Sequence, residues 1–202
     1  MHWPTYGLEI KSDRELDINA CFDRSAPLWL EIGFGNGEAL AHMALARPDV
    51  NFLGIEVHLP GVGHALGALA VDDITNVRVI RHDALEVLEH SLPTTSVSRL
   101  MIFFPDPWHK KRHRKRRLVN PEFLQLVQRV LTEDAVIHYA TDWVDYADHI
   151  VDAMGSLDDF QLVADDDKKY REVTRIRPTT RFETRGRRLG HEVRDLVYER
   201  QR

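Results

Sequence analysis

A single cysteine, Cys21, stands in a chain of 202 residues, so no internal disulfide can form and a thiolate metal cluster is excluded. Such usage suits the reducing cytosol. Long apolar runs are lacking as well. No stretch approaches a membrane span, and the first twenty residues mix Asp, Glu, Lys and Arg with apolar positions instead of forming the apolar core of a signal peptide. Internal repeats and low-complexity linkers are missing, and one core of this size accounts for the chain. The expectation is a soluble cytoplasmic protein, monomeric, with no membrane partner.

Positive charge is scarce overall, the formal net charge being -5, yet it is concentrated. Residues 110–117 hold seven Lys or Arg and no acid, and residues 168–202 hold twelve against five acids. The rest of the chain is therefore strongly acidic. Two basic patches on an acidic body can bind a polyanion at one face while the remaining surface repels it.

Apolar runs alternate with amphipathic segments. LWLEI (28–32) ends in GFGNG and is followed by a helical pattern from Glu38 to Ala46. The unit repeats: NFLGIEV (51–57) before a helix opened by Pro60, VRVIRH (77–82) before DALEVLEH, and RLMIFF (99–104) before a basic loop. A helix with Asn120 as N-cap and Pro121 at its first position follows, then AVIHYA (135–140) and a helix capped by Asp142. FQLV and DLVYER read as two further strands, a hairpin-like pair at the sheet edge separated by an arginine-rich stretch whose Gly186 argues against a long helix. The fold class predicted is α/β, a Rossmann-like, mainly parallel sheet with helices on both faces and an antiparallel C-terminal edge.

EIGFGNG puts glycines at 33, 35 and 37 behind an acid, Glu31, and Glu56 closes the second strand, where nucleotide folds place a carboxylate on ribose hydroxyls. A dinucleotide and S-adenosylmethionine both carry such a ribose. A carboxylate at the head of the loop repels a pyrophosphate but suits a ligand with a sulfonium and an ammonium, and the spacing lacks the third glycine of the dinucleotide fingerprint. Asp83, just past the third strand, can accept from an adenine amino group or cap the helix that follows; the two roles are compatible.

FFPDPWHKKRHRKRR (103–117) brackets Asp106 between Pro105 and Pro107, which stiffen an extended turn at the carboxyl end of the fourth strand. The cations that follow need an anion to neutralise them, and phosphate is the obvious one. His109 and His113 have helical metal-ligand spacing, but the surrounding Lys and Arg repel a metal ion, and no metal is expected. Thr180 and Glu183 sit three apart among Arg177, Arg181, Arg185, Arg187 and Arg188. They read either as polar contacts to a ribose or base edge, with the arginines on phosphates, or as a capping box. Trp108 offers a stacking surface for an unstacked base or an anchor for the turn.

LEIGFGNGEAL, GIEVH, RHDALEVL, FFPDPWHKKRHRKRRLVNPEFL, ATDWVDYA and RPTTRFETRGRRLGHEVRDL together resemble the bacterial tRNA (guanine-N7-)-methyltransferases, from about Leu28 to Tyr198. The resemblance implies a class I S-adenosylmethionine-dependent methyltransferase domain over 28–202 behind an N-terminal extension of 1–27. Its substrate would be tRNA and its product N7-methylguanosine at the variable-loop position 46. It implies that Glu31, Gly33, Gly35, Gly37, Glu56, Asp83 and Asp106 line the donor site, with Asp106 also the active-site acid. Lys110, Asp142, Thr180, Arg181 and Glu183 would contact the RNA, and Arg112, Arg114, Lys115, Arg116 and Arg117 would lie on its backbone. Arg114 stands where the family often has Asn, Arg181 where Lys is common, and the stretch before Leu28 lacks an arginine-rich arm, which would leave more of the grip to the C-terminal cations.

Overall fold

The computed structural model describes residues 2–11, 14–165 and 167–201, with the side chains of 181 and 182 excepted. In chain order the elements are α1 (Trp3–Tyr6), α2 (Ile18–Phe22), β1 (Leu28–Ile32), α3 (Glu38–Ala46), β2 (Asn51–Ile55), α4 (Leu59–Val71), β3 (Val77–Ile80), α5 (Ala84–His90) and β4 (Val97–Phe103). A 3-10 turn (Lys111–Arg116) comes next, followed by α6 (Pro121–Val130), β5 (Leu131–Thr141), α7 (Val144–Met154), β6 (Phe160–Leu162), α8 (Lys168–Ile176), α9 (Arg181–Arg188) and β7 (Arg194–Arg200).

The seven strands form one sheet in the order β3-β2-β1-β4-β5-β7-β6. β1 to β5 are parallel, and β7 inserts antiparallel between β5 and β6. Every residue of β1 and β2 is buried, as continuous apolar runs in a sheet covered on both faces require. Alternation sorts them: Leu28, Leu30 and Ile32 pack with Phe123, Val127 and Tyr146 on one face, while Trp29 joins Phe52, Leu40 and Met43 on the other.

Local chemistry sets the helix ends. Asn120 accepts from Phe123 N at 3.0 Å ahead of Pro121, an N-cap worth about 1 kcal/mol. Asp142, expected to cap α7, does not. Thr141 Oγ1 accepts from Trp143 N instead, Trp143 is the residue before the helix, and the Asp142 carboxylate is drawn to His191 Nδ1 at 3.1 Å. The arginine-rich stretch between the last two strands folds into α8 and α9, and α9 carries Gly186 within it. There a Cβ would come within 2.5 Å of the Asp142 carboxylate, so the absent side chain is what lets the helix approach β5. The residues before Leu28 pack on the sheet: Leu8 N donates to Val79 O at 2.9 Å, and Tyr6 and Phe22 are buried.

The chain runs outward from β1 through β2 to β3, then returns to lay β4 on the other side of β1. The strand order reverses there, and the loops leaving the carboxyl ends of β1 and β4 diverge to open a crevice. Glycine loop and proline-bracketed acid, with Gly37 and Asp106 69 residues apart in sequence, both start from that point.

Candidate active site

Gly33, Gly35 and Gly37 all have positive φ, at 75°, 56° and 75°. At Gly37 the freedom from a side chain is needed twice, since a Cβ would also lie 2.5 Å from that of Ala65 on α4. At Gly35 a Cβ would meet no protein atom within 4 Å, which leaves the backbone open to a ligand. Glu56 ties this loop to the end of β2. One carboxylate oxygen accepts from Gly35 N at 2.9 Å, the other from Val57 N at 2.7 Å and His58 N at 2.9 Å.

Beneath the loop a cavity of about 190 Å3 is lined by Glu31, Gly33 to Asn36, Glu38, Ala39, Glu56, Phe103, Phe104 and Thr180. Glu31 is 2% exposed, and its Oε2 is buried with no hydrogen-bond partner among the described residues. Burial, with the charge of Glu56 adding to it, pushes the Glu31 carboxyl up to about 8. Such a group is held ready for a cation: a positive ligand would restore its charge and fill its missing hydrogen bond.

Asp83 caps α5, accepting from Leu85 N at 2.8 Å and from Glu86 N at 3.4 Å. Asp106 is exposed and lies outside the Glu31 cavity, in a neighbouring depression lined also by Pro107, Trp108, His109, Lys110 and His113. Phe104, at the end of β4, bounds the first cavity one step before the PDP turn, so the chain passes directly from one hollow to the other. Phe104 and Trp108 flank that turn with positive φ of 51° and 44°, a conformation costing about 1–3 kcal/mol for bulky residues and held only where the surroundings impose it.

Lys110, Lys111, Arg112, Lys115 and Arg116 are exposed along the 3-10 turn, with Arg116 5.0 Å over the Trp108 ring. Trp108 is half-buried, and that contact together with an edge-on approach by His113 makes it part of the turn's own packing. Arg114 is half-exposed and pairs with Asp145 at 2.6 Å. Arg117 departs from the expectation of an RNA-facing cation. It is 2% exposed, its Nε donates to Pro107 O at 2.9 Å, its Nη2 reaches the Asp145 carboxylate, and its guanidinium lies 4.9 Å over Tyr146. The pairing with α7 pins the PDPW turn from below.

The Thr180 and Glu183 pair forms half of a capping box, since the Glu183 carboxylate is taken by Arg177 and Arg187. Thr180 Oγ1 accepts from Glu183 N at 3.2 Å, and Thr180 reaches the Glu31 cavity while Glu183 is 2% exposed and turned inward. The Arg177 side chain is enclosed as well, contrary to its expected place on phosphate. The Arg181 side chain lies outside the described residues. Phe103, Phe104, Asn36 and Glu38 line the cavity without having been picked out from the sequence; their adjacency to GFGNG and PDP was the available signal.

A family model described as "Putative methyltransferase" matches residues 25–196. The tRNA (guanine-N(7)-)-methyltransferase of Pseudomonas aeruginosa (strain UCBPP-PA14) is 50% identical over 198 residues, which cover 98% of this chain and 80% of that protein. The protein of the same name from Shewanella amazonensis (strain ATCC BAA-1098 / SB2B) is 48% identical over 198 residues, covering 98% and 82%. Among solved structures, the 16S rRNA methyltransferase KamB superposes with a TM-score of 0.62 at 16% identity over 98% of this chain and 99% of that one, a likeness of fold. The chain belongs to the tRNA (guanine-N7-)-methyltransferase family.

Proposed function

We propose that this protein methylates N7 of a guanosine in tRNA, with S-adenosyl-L-methionine as donor and the variable-loop guanosine at position 46 as target. The donor supplies a methyl group on a sulfonium and is itself cationic. The single observation that supports this use of the cavity most strongly is Glu31, a buried carboxyl with one unpartnered oxygen beneath a glycine loop. Glu31 would hold the ammonium end, Glu56 the ribose, and Gly35 the backbone face of the donor.

Guanine N7 offers a lone pair in its neutral form, so no general base is required to free it. Methylation moves positive charge onto the purine. Asp106, an exposed carboxylate on a turn stiffened by two prolines and pinned by Arg117, would stabilise that charge and accept from the base's N1–H or N2 amino group. Its separation from the Glu31 cavity by Phe104 suits a division of labour, one hollow for each reactant, in which most of the rate comes from alignment. Lys110, Arg112, Lys115 and Arg116 present an open cationic face for phosphates, Arg114 shares its charge with Asp145, and Asp142 lies near His191 and α9 on the same rim. No helix among the described residues is long and apolar enough to cross a membrane. A tRNA substrate would suit work in the cytoplasm.

Incubation with unmodified tRNA and labelled donor, followed by chemical cleavage at N7-methylguanosine, tests the proposal. Strand scission at one variable-loop guanosine is expected. Label on an exocyclic amino group, or RNA binding indifferent to the donor, would sink it.

A further inference from the structure

Arg177 follows α8 and is only 7% exposed. Its Nε and Nη2 donate to the two oxygens of Asp195 on β7, both at 2.9 Å, and its Nη1 donates to Glu183 Oε2 on α9 at 2.5 Å. The same guanidinium lies 5.7 Å over Phe103 and 5.6 Å over Phe104 at the end of β4. Asp195 also takes His138 of β5 at 2.7 Å, and the second oxygen of Glu183 accepts from Arg187 at 2.5 Å. One planar cation thus ties three successive elements, α8, α9 and β7, to the distant end of β4. Three residues on, Thr180 caps α9 and lines the Glu31 cavity, as does Phe104, whose left-handed backbone needs such a constraint to persist.

We propose that Arg177 is a positioning residue for the donor site: bound to Asp195 and Glu183 and stacked on Phe103 and Phe104, it holds Thr180 and Phe104 in place as walls of the cavity above Glu31. The inference rests on the donor assignment made above. Only a guanidinium serves, because its rigid fork fills the Asp195 carboxylate while a third donor reaches Glu183 and its flat face covers the rings; an ammonium is a point donor with no such face. Glu183 accordingly acts through Arg177 and the α9 cap, since its carboxylate is enclosed by two arginines.

The test uses the full chain with Arg177→Lys and Glu183→Gln, and Glu31→Gln alongside. The measurements are the dissociation constant of S-adenosylhomocysteine by calorimetry, KM for donor and for tRNA, thermal unfolding, and hydrogen exchange of the 180–188 amides. Arg177→Lys is expected to weaken S-adenosylhomocysteine about tenfold and raise the donor KM alike, to leave the tRNA KM within about twofold, and to speed exchange in α9. Glu183→Gln moves the same quantities in the same direction by a smaller factor. An unchanged S-adenosylhomocysteine constant with a raised tRNA KM would make Arg177 or Glu183 an RNA contact and overturn the proposal. Where Arg177→Lys does not fold, Glu183→Gln decides by the same criterion. If Glu31→Gln also leaves the constant unchanged, the donor assignment fails, not the clamp alone.

Discussion

Replacing Glu31 by glutamine makes the unliganded protein more stable while it weakens the donor. The carboxyl titrates near 8 in the folded chain against an ordinary value of 4.5. Below 4.5 both folded and unfolded states hold the proton. Between 4.5 and 8 only the folded state does, so stability falls as pH rises, and above 8 the loss is complete. At about 1.4 kcal/mol per pH unit the whole interval corresponds to about 5 kcal/mol as an upper bound, and to about 3 kcal/mol at pH 7. Glu31→Gln cannot titrate. Urea unfolding without donor should therefore find the two proteins alike near pH 5 and the variant more stable by about 2–5 kcal/mol at pH 8.5. Ligand binding carries the opposite sign. The ammonium of S-adenosylhomocysteine needs the carboxylate, so its affinity should tighten from pH 6 towards 8 with release of about one proton at pH 7, measured by calorimetry in buffers of different ionisation enthalpy. Parallel stability curves for the two proteins, or the same proton release from Glu31→Gln, would refute the reasoning.

Asp106→Asn should lower kcat by about 10²–10³ while leaving the S-adenosylhomocysteine constant within about threefold, because Asp106 lies outside the Glu31 cavity; steady-state kinetics and calorimetry separate the two. Arg117→Ala should cost about 2–3 kcal/mol of stability, read by urea unfolding, by removing a buried side chain packed on Tyr146 and freeing the PDPW turn, while Asp145 keeps Arg114. Lys115→Ala and Arg116→Ala should each stay within about 0.5 kcal/mol of wild type in stability, and each should reduce the salt dependence of tRNA binding by about one phosphate's worth. Gly35→Ala should cost about 1–2 kcal/mol for an alanine at φ 56° and weaken the donor about tenfold by placing a methyl on the open backbone, as thermal unfolding and calorimetry would show.

Much was legible in the chain by itself. Asn120 with Pro121 marks a helix start because side-chain and ring chemistry act within one turn, and β1 and β2 are recognisable because a strand covered on both faces must be apolar throughout. GFGNG announced its loop because positive φ at alternate residues is costly for anything but glycine. The helices α8 and α9 were obscured: among the residues whose burial is described, α8 buries only Val173, so little apolar periodicity exists to find. Asp142 misled because α7 begins one residue later, behind Trp143 and without a side-chain cap, and the Asp142 carboxylate goes to His191 from the far end of the chain.

What composition could never settle is which arginines face solvent. Arg116 and Arg117 are neighbours in one basic run, yet one is exposed and the other buried, because Asp145, 28 residues on, comes up beneath only the second. Arg177 and Arg187 likewise share a segment, and Asp195 and Phe104 select the first. Local conformation depends on side chains a few residues apart and can be read from their order; the fate of a charge depends on acids that other elements bring alongside it, Asp145 from a helix and Asp195 from a strand, and only the tertiary structure supplies them.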